Sequence, residues 1–410
     1  MIARHEGQIV LVGGAIPGER VVARVDRVAK GVVHAQTTEV AERSADRREP
    51  FADPLCGGCL YAHVEYARQL ELKSQVVADA FARIGRIPLP APVVVRPSKA
   101  DGYRMRARLH ARGGRVGFFR EGTHQLCDAR ATRQLLPDTC DVLDRLAAGL
   151  RSLGHEMLGE LEVSENVGAS ERAVHLLAAS AVDPRSLIAL APLAGVTGLS
   201  MSVMDRGPAA FHVISGDPHV TDTLTVDGHT IVLKRHVLAF FQGKRYLVAD
   251  LAAHVIDAIE KDAPVIDLYA GAGLFAVAAA AARGARVLAV EGDRVAARDI
   301  AANAQAAGLP VETVCQSVEL FASTTRGRAD IVLVDPPRTG MSKEAMQGAI
   351  RLGAKRFVYV SCDVATLARD ARRLLDAGYQ LDRIEGFDLF PNTPHVETVV
   401  VFVNGRSVRL

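Results

Sequence analysis

Apolar residues in the C-terminal part of the chain come in short runs, each followed by a stretch with helical spacing. VIDLY enters a glycine loop and AVAAAAAR, VLAVE comes next, then IVLV, and FVYV leads into a helical stretch at 365–377. Apolar strands alternating with helices predict a mostly parallel sheet with helices on both faces. The first 45 or so residues have another rhythm. GQIVLV, RVVARVDRVA and GVVHAQTTEV are separated by glycine and proline turns, which predicts a small all-β barrel. A stretch rich in charge and proline at 43–54 reads as a linker. Gln69, Leu72, Val76, Ala80 and Phe81 recur at helical spacing and predict one helix over 60–85. From 93 to 235, strands separated by glycine turns, with apolar helical interruptions at 141–153 and 184–193, predict an α+β domain. The expected division is a barrel over 1–45, an α+β middle domain over 51–235 and a doubly wound α/β domain over 236–410.

Composition changes this picture little. A chain of 410 residues, 49% apolar, supports more than one core. Its longest apolar run, Leu274 to Ala282, stops at Arg283, well short of the roughly 20 residues that cross a bilayer. The N-terminus shows no long hydrophobic region with a cleavage site, so no membrane contact and a cytoplasmic location are expected. Six cysteines are too sparse for a disulfide framework, and a reducing compartment would leave them free. The net charge of +2 conceals an uneven distribution. Between Arg96 and Arg133 stand ten Lys or Arg against three acidic residues, a candidate phosphate-facing surface. Within it Arg104, Arg106 and Arg108 alternate with apolar residues, so a strand would turn all three to one side. A basic strand is also often just a solvated face. Phe118 and Phe119 follow and could stack an unpaired base, although core packing is the plainer use.

Two constellations carry candidate chemistry. Asp267 to Phe275, DLYAGAGLF, is a strand ending in a glycine loop that opens a helix, and Glu291 closes the next strand 18 residues after Gly273. Glycines let backbone approach a nucleotide, and an acid after the second strand can bind ribose hydroxyls. The loop alone leaves a methyltransferase, a dinucleotide enzyme and a structural turn open. The second constellation lies at the ends of later strands. Asp335-Pro336-Pro337-Arg338 follows IVLV, and Ser361-Cys362-Asp363 follows FVYV, where open α/β sheets bind ligands. Amino-methylating enzymes often place an aromatic after the paired prolines, so Arg338 argues against that chemistry. A cysteine ending a strand is commonly a small buried apolar residue, and Glu397, before VVVFV, would ordinarily be solvated.

AFFQ, DLYAGAGLF, DPPRTG, SCDVATLARD and PHVETVVVF, in this order over the last 175 residues, resemble the RNA uridine-5-methyltransferase family. The N-terminal segment, with IPGERV, is similar to the TRAM domain, an RNA-binding barrel of OB-like build. The resemblance implies a Rossmann-like methyltransferase domain that uses S-adenosylmethionine to methylate carbon 5 of a uridine in rRNA or tRNA. Gln242, Tyr269, Leu274, Glu291 and Asp335 fall on its cofactor-binding positions, Cys362 on the nucleophile and Glu397 on the proton acceptor. A thiolate adding to carbon 6 makes carbon 5 nucleophilic, and a base must then remove the remaining proton. Two positions depart from the pattern: Leu274 and Lys244 stand where asparagine is usual. An RNA cytosine-5 enzyme and a non-catalytic RNA-binding protein of this fold are the rivals. The protein is expected to act as a monomer on RNA.

Cys56-Gly57-Gly58-Cys59, followed by Gln69 and Lys73, resembles a segment that holds a four-iron cluster in several members. Such a cluster takes four cysteine ligands. The other two would fall at Pro50 and near Thr132 or Arg133, so a relic with two free or zinc-binding thiols is expected, unless Cys127 or Cys140 substitutes. Cys315 is expected in packed core.

Overall fold

The computed structural model describes residues 1–154, 159–178, 182–203, 210–325 and 327–405. The N-terminal strands β1 (Ile2–His5), β2 (Gln8–Gly13), β3 (Arg20–Ala29) and β4 (Val32–Glu42) form one sheet in the order β1-β2-β4-β3. The expected linker is a fastened segment. Arg47 binds Glu19 with Nε and Nη2 at 2.5 and 2.6 Å, and Arg48 donates to Asn392 Oδ1 at 2.9 Å. Helix α1 (Tyr66–Ala80) then runs into a π turn at Phe81–Gly85, and β5 (Val95–Arg96) follows.

The middle sheet has seven strands: β6 (Arg106–Arg112), β7 (Arg115–Phe119), β8 (Leu126–Asp128), β9 (Gly159–Glu165), β10 (Arg172–Ala178), β11 (Gly198–Val203) and β12 (Phe211–Gly216). Their order is β12-β11-β10-β9-β6-β7-β8. Helices α2 (Pro137–Ser152) and α3 (Leu190–Ala194) cover it, with Leu109, Leu146, Leu161 and Leu176 in its core. A hairpin of β13 (His219–Val226) and β14 (His229–His236) leads on to the last domain.

That domain contains α4 (Val248–Asp257), β15 (Pro264–Leu268), α5 (Leu274–Arg283), β16 (Arg286–Glu291), α6 (Arg294–Ala307), β17 (Val311–Cys315), α7 (Val318–Thr324), β18 (Ile331–Val334), α8 (Lys343–Arg351), β19 (Arg356–Ser361), α9 (Val364–Asp376), β20 (Tyr379–Phe387) and β21 (Glu397–Asn404). The sheet runs β17-β16-β15-β18-β19-β21-β20-β5. Strands β15 to β19 pair in parallel, whereas β21 is antiparallel to both β19 and β20. Apolar side chains cover both faces, as the near-continuous apolar runs required.

The expected boundaries at 51 and 236 do not follow the packing. β5 extends the C-terminal sheet, and Val77, Phe81 and Val93 join its core. The β13–β14 hairpin packs Leu224, Ile231 and Leu233 against the other face. The reason is amphipathic: α1 and the hairpin each have one apolar side, and the C-terminal sheet offers the larger apolar surface. No helix among the described residues is long and apolar enough to cross a membrane.

Candidate active site

β15 and β18 are neighbours whose next connections run in opposite directions, and a crevice opens at such a point beyond the carboxyl ends of the strands. Four loops meet there. After β15 the chain turns through Tyr269, Gly271 and Gly273, all at positive φ (63°, 55° and 90°). At Gly271 a Cβ would lie 3.2 Å from Phe240 O, so the tight turn needs glycine. Glu291, ending β16, accepts from Gly271 N at 2.8 Å and from Asp293 N at 2.7 Å. Its carboxylate thereby fixes the loop. Tyr269 is half-buried against the sheet core, and Leu274 packs its side chain into α5's buried face. Leu274 therefore offers backbone alone to a ligand.

Gln242 and Asp335 meet directly, Nε2 donating to Oδ2 at 2.9 Å. Burial pushes the Asp335 carboxyl up, with Gln242 opposing. Beneath the loop, Asp267 is buried against the Ala276 amide, and burial with the charges of Asp335 and Glu291 raises its carboxyl far above the usual carboxylate range, Ala276 only partly opposing. Three acids that repel one another suit a cationic ligand. The group implied by the resemblance carries a sulfonium and an ammonium, so this donor set fits S-adenosylmethionine.

Cys362 and Glu397 come together through strand direction. β19 and β21 are antiparallel, with Ser361 opposite Thr398. The residue after β19 and the residue that opens β21 thus share one rim. Glu397 is 1% exposed, not solvated, because β21 lies inside the sheet. Its Oε1 has no protein partner, and burial raises its carboxyl well above its ordinary range. Burial also pushes the Cys362 thiol up to about 12, aided by Glu397 and opposed by nearby Arg338. Both line one cavity of about 460 Å³ with Gln242, Lys244, Asp335 and Arg338. Phe240, 54% exposed, stands at its mouth.

The basic strand is divided. Arg104 and Arg106 line this cavity, whereas Arg108 lines a separate cleft of about 730 Å³ beside His175, Phe211 and His236. That larger cleft, although lined by His175, His219, His236 and Asp299, contains neither Cys362 nor Glu397, so the smaller one is the candidate site. Arg106 and Arg108 both bind Glu162, at 2.7 and 2.9 Å, and Arg104 rests over the Phe118 ring at 5.5 Å. The uniformly cationic face expected from alternation is partly neutralised by the neighbouring strand, which sequence alternation cannot reveal. Phe118 is buried and Phe119 stacks on His110.

Three cysteines converge beside β8 of the middle sheet, but not as expected. Cys56 forms a disulfide with Cys127, 71 positions away, while Cys59 is free and buried, its thiol pushed up to about 12. Free Cys56–Cys59 thiols are thus corrected to one free thiol and one bridge. Cys140 packs in the middle-domain core. Three converging thiols, two of them bonded together, do not fit a four-iron cluster, and among the described residues no His, Cys, Asp or Glu group is placed to hold a metal. Cys315 is exposed, not core, because β17 is the outermost strand. Sequence reasoning assigned no task to Lys244 or Arg338, although the first had marked itself as a departure from the motif.

The site's relatives are clear. A profile of the tRNA (Uracil-5-)-methyltransferase family matches residues 65–404. The chain is 32% identical, over 98% of its length and 86% of the relative, to a protein of Halomonas elongata named 23S rRNA (uracil(1939)-C(5))-methyltransferase RlmD. It is 30% identical, over 97% of its length and 94% of the relative, to an uncharacterized RNA methyltransferase of Thermotoga maritima. In three dimensions it matches the Pyrococcus abyssi tRNA (uracil-54, C5)-methyltransferase, solved with S-adenosyl-L-homocysteine, with a TM-score of 0.77 at 24% identity, covering 96% of this chain and 95% of that one. Profile, relatives and fold agree, and the chain belongs to the tRNA (uracil-5-)-methyltransferase family.

Proposed function

We propose that this chain methylates carbon 5 of a uridine in structured RNA through a covalent adduct with Cys362. The observation that carries the reading is the shared cavity of Cys362, Glu397 and the Gln242–Asp335 pair at the carboxyl rim of the sheet. Gln242, Tyr269, Glu291, Asp335 and the backbone at Leu274 hold S-adenosylmethionine. When bound, it supplies a methyl group made electrophilic by a positive sulfonium. Cys362 Sγ bonds to carbon 6, the C5=C6 pair moves onto carbon 5 and its adjoining carbonyl, and carbon 5 becomes the methyl acceptor. Glu397 then takes the carbon 5 proton, C5=C6 re-forms and Sγ leaves as thiolate. Burial opposes the ionisation of both Cys362 and Glu397 in the free protein, so the assembled complex has to favour their charged forms.

The target uridine must leave its stack to reach so enclosed a site. The four-stranded N-terminal sheet and the arginines of 104–108 supply the surface for the surrounding RNA. Mapping 5-methyluridine in ribosomal and transfer RNA from cells with and without the gene tests the reaction and identifies the base. Loss of one site, restored by the wild type and not by Cys362→Ala, is expected. Restoration by Cys362→Ala would end the covalent reading. Methylcytidine at the affected site would favour the cytosine-5 rival.

A further inference from the structure

Lys244 is left without a task by these steps. It lines the cavity with Cys362, Asp335 and Glu397 and is 4% exposed, yet its Nζ meets no hydrogen-bond acceptor in the protein. Nζ lies 3.5 Å from the ring centroid of Tyr103 and 4.7 Å from that of Phe390. Buried side-chain donors without a partner are uncommon and call for an explanation. Glu397 Oε1 is a second orphan on the same cavity. A donor and an acceptor left open together fit an inserted ring that carries polar atoms of its own.

The charges facing Lys244 are Arg104, Asp388, Lys73 and Glu397. Burial, with Arg104 and Lys73, holds its amine well below the usual lysine range. A neutral amine still donates N–H bonds. The other cations of the cavity each have a contact: Arg106 binds Glu162 through Nη2, although its Nε is also without a partner, Arg104 lies over Phe118, and Arg338 sits beside Cys362.

Addition of Sγ to carbon 6 determines where the charge goes. The C5=C6 pair is conjugated with the carbonyl at carbon 4, so the negative charge is shared by carbon 5 and O4. O2 receives none of it. A fixed donor aimed at O4 binds the enolate more strongly than the neutral base, which is the condition for accelerating the step. We propose that Lys244 Nζ donates a hydrogen bond to O4 of the target uracil, stabilising the enolate. The proposal rests on the covalent reading above.

The test needs no methyl donor. Reversible addition of Cys362 to carbon 6 lets the hydrogen on carbon 5 exchange with water, so RNA tritiated at carbon 5 of uridine should release its label to the wild type and not to Cys362→Ala. Lys244→Met should slow that release about 100- to 1000-fold, while affinities for RNA and S-adenosylmethionine change by less than about threefold. Lys244→Gln, which keeps an N–H donor at similar length, should recover much of the rate. Wild-type release by Lys244→Met, or a loss explained by weaker RNA binding, would overturn the role of Lys244. Should Lys244→Met fail to fold, Lys244→Ala with added methylamine replaces it. A rate rising with amine concentration supports the proposal, and a flat response overturns it. Absence of release by the wild type would overturn both this proposal and the covalent reading.

Discussion

Cys362 begins with its ionisation opposed by its surroundings. Burial and then Glu397 push the thiol up to about 12, and Arg338 only partly offsets them. The thiolate fraction of the free protein should therefore grow about tenfold per pH unit across neutral and mildly alkaline pH. Alkylation of Cys362 by iodoacetamide should follow that slope without a plateau, measured by peptide mass spectrometry in a Cys315→Ser background because Cys315 is exposed. A plateau near neutrality would mean that Arg338 governs the thiol. Glu397 supplies a second test. With Glu397→Gln, thiolate addition and methyl transfer remain possible, but the carbon 5 proton has no acceptor. Enzyme and RNA should then migrate together on a denaturing gel as a band labelled from the methyl donor, with release about 100- to 10,000-fold slower than in the wild type. Normal turnover would pass the base role to another group.

At the scale of elements, strand direction and pairing decide which residues can act. An antiparallel β21 returns Glu397 to the rim where β19 releases Cys362, whereas a parallel strand would have placed it at the opposite end of the sheet. β6 shows the reverse effect, since pairing with β9 sets Arg106 and Arg108 against Glu162. Arginines already matched by a carboxylate contribute less to phosphate binding than Arg104, which rests on a ring. Arg104→Ala is expected to reduce the log-log salt slope of RNA binding by about 0.7 to 0.9, one phosphate contact. Arg106→Ala and Arg108→Ala should each change it less. Anisotropy titrations over a series of KCl concentrations check this, and equal effects at all three positions would show that Glu162 releases its partners to RNA.

On the scale of the whole molecule, the catalytic sheet is held by segments distant in sequence. α1 docks on the loop after β20: Lys73 pairs with Asp388 with both side chains fully buried, Tyr66 donates to Asp388 Oδ2 at 2.8 Å, and Gln69 accepts from Asn392 N at 2.8 Å. The same loop carries Phe390, which borders the active cavity. Removing one partner of a buried ion pair leaves a charge without compensation, costing about 3–5 kcal/mol. Lys73→Met should lower the unfolding free energy by that amount in a urea titration followed by circular dichroism. Adding Asp388→Asn should recover part of the loss. A neutral Lys73→Met would show that water reaches Asp388.

The sequence by itself determined the alternation of strand and helix, because apolar periodicity follows directly from which faces are buried. It also marked the glycine loop with Glu291 after the next strand and singled out Cys362, Asp335 and Glu397 as candidates, because these are local patterns at strand ends. Tertiary structure alone decided what those residues meet. The Cys56–Cys127 bridge, the Glu162 clamp on two arginines, the exposure of Cys315 and the transfer of α1 and β5 to the catalytic sheet all depend on contacts between distant segments. Lys244 belongs to both accounts: the sequence shows the odd residue, and only the fold shows that its amine is buried without a partner in the cavity of Cys362. Periodicity records whether a side chain is buried, whereas its partner is set by how the chain packs.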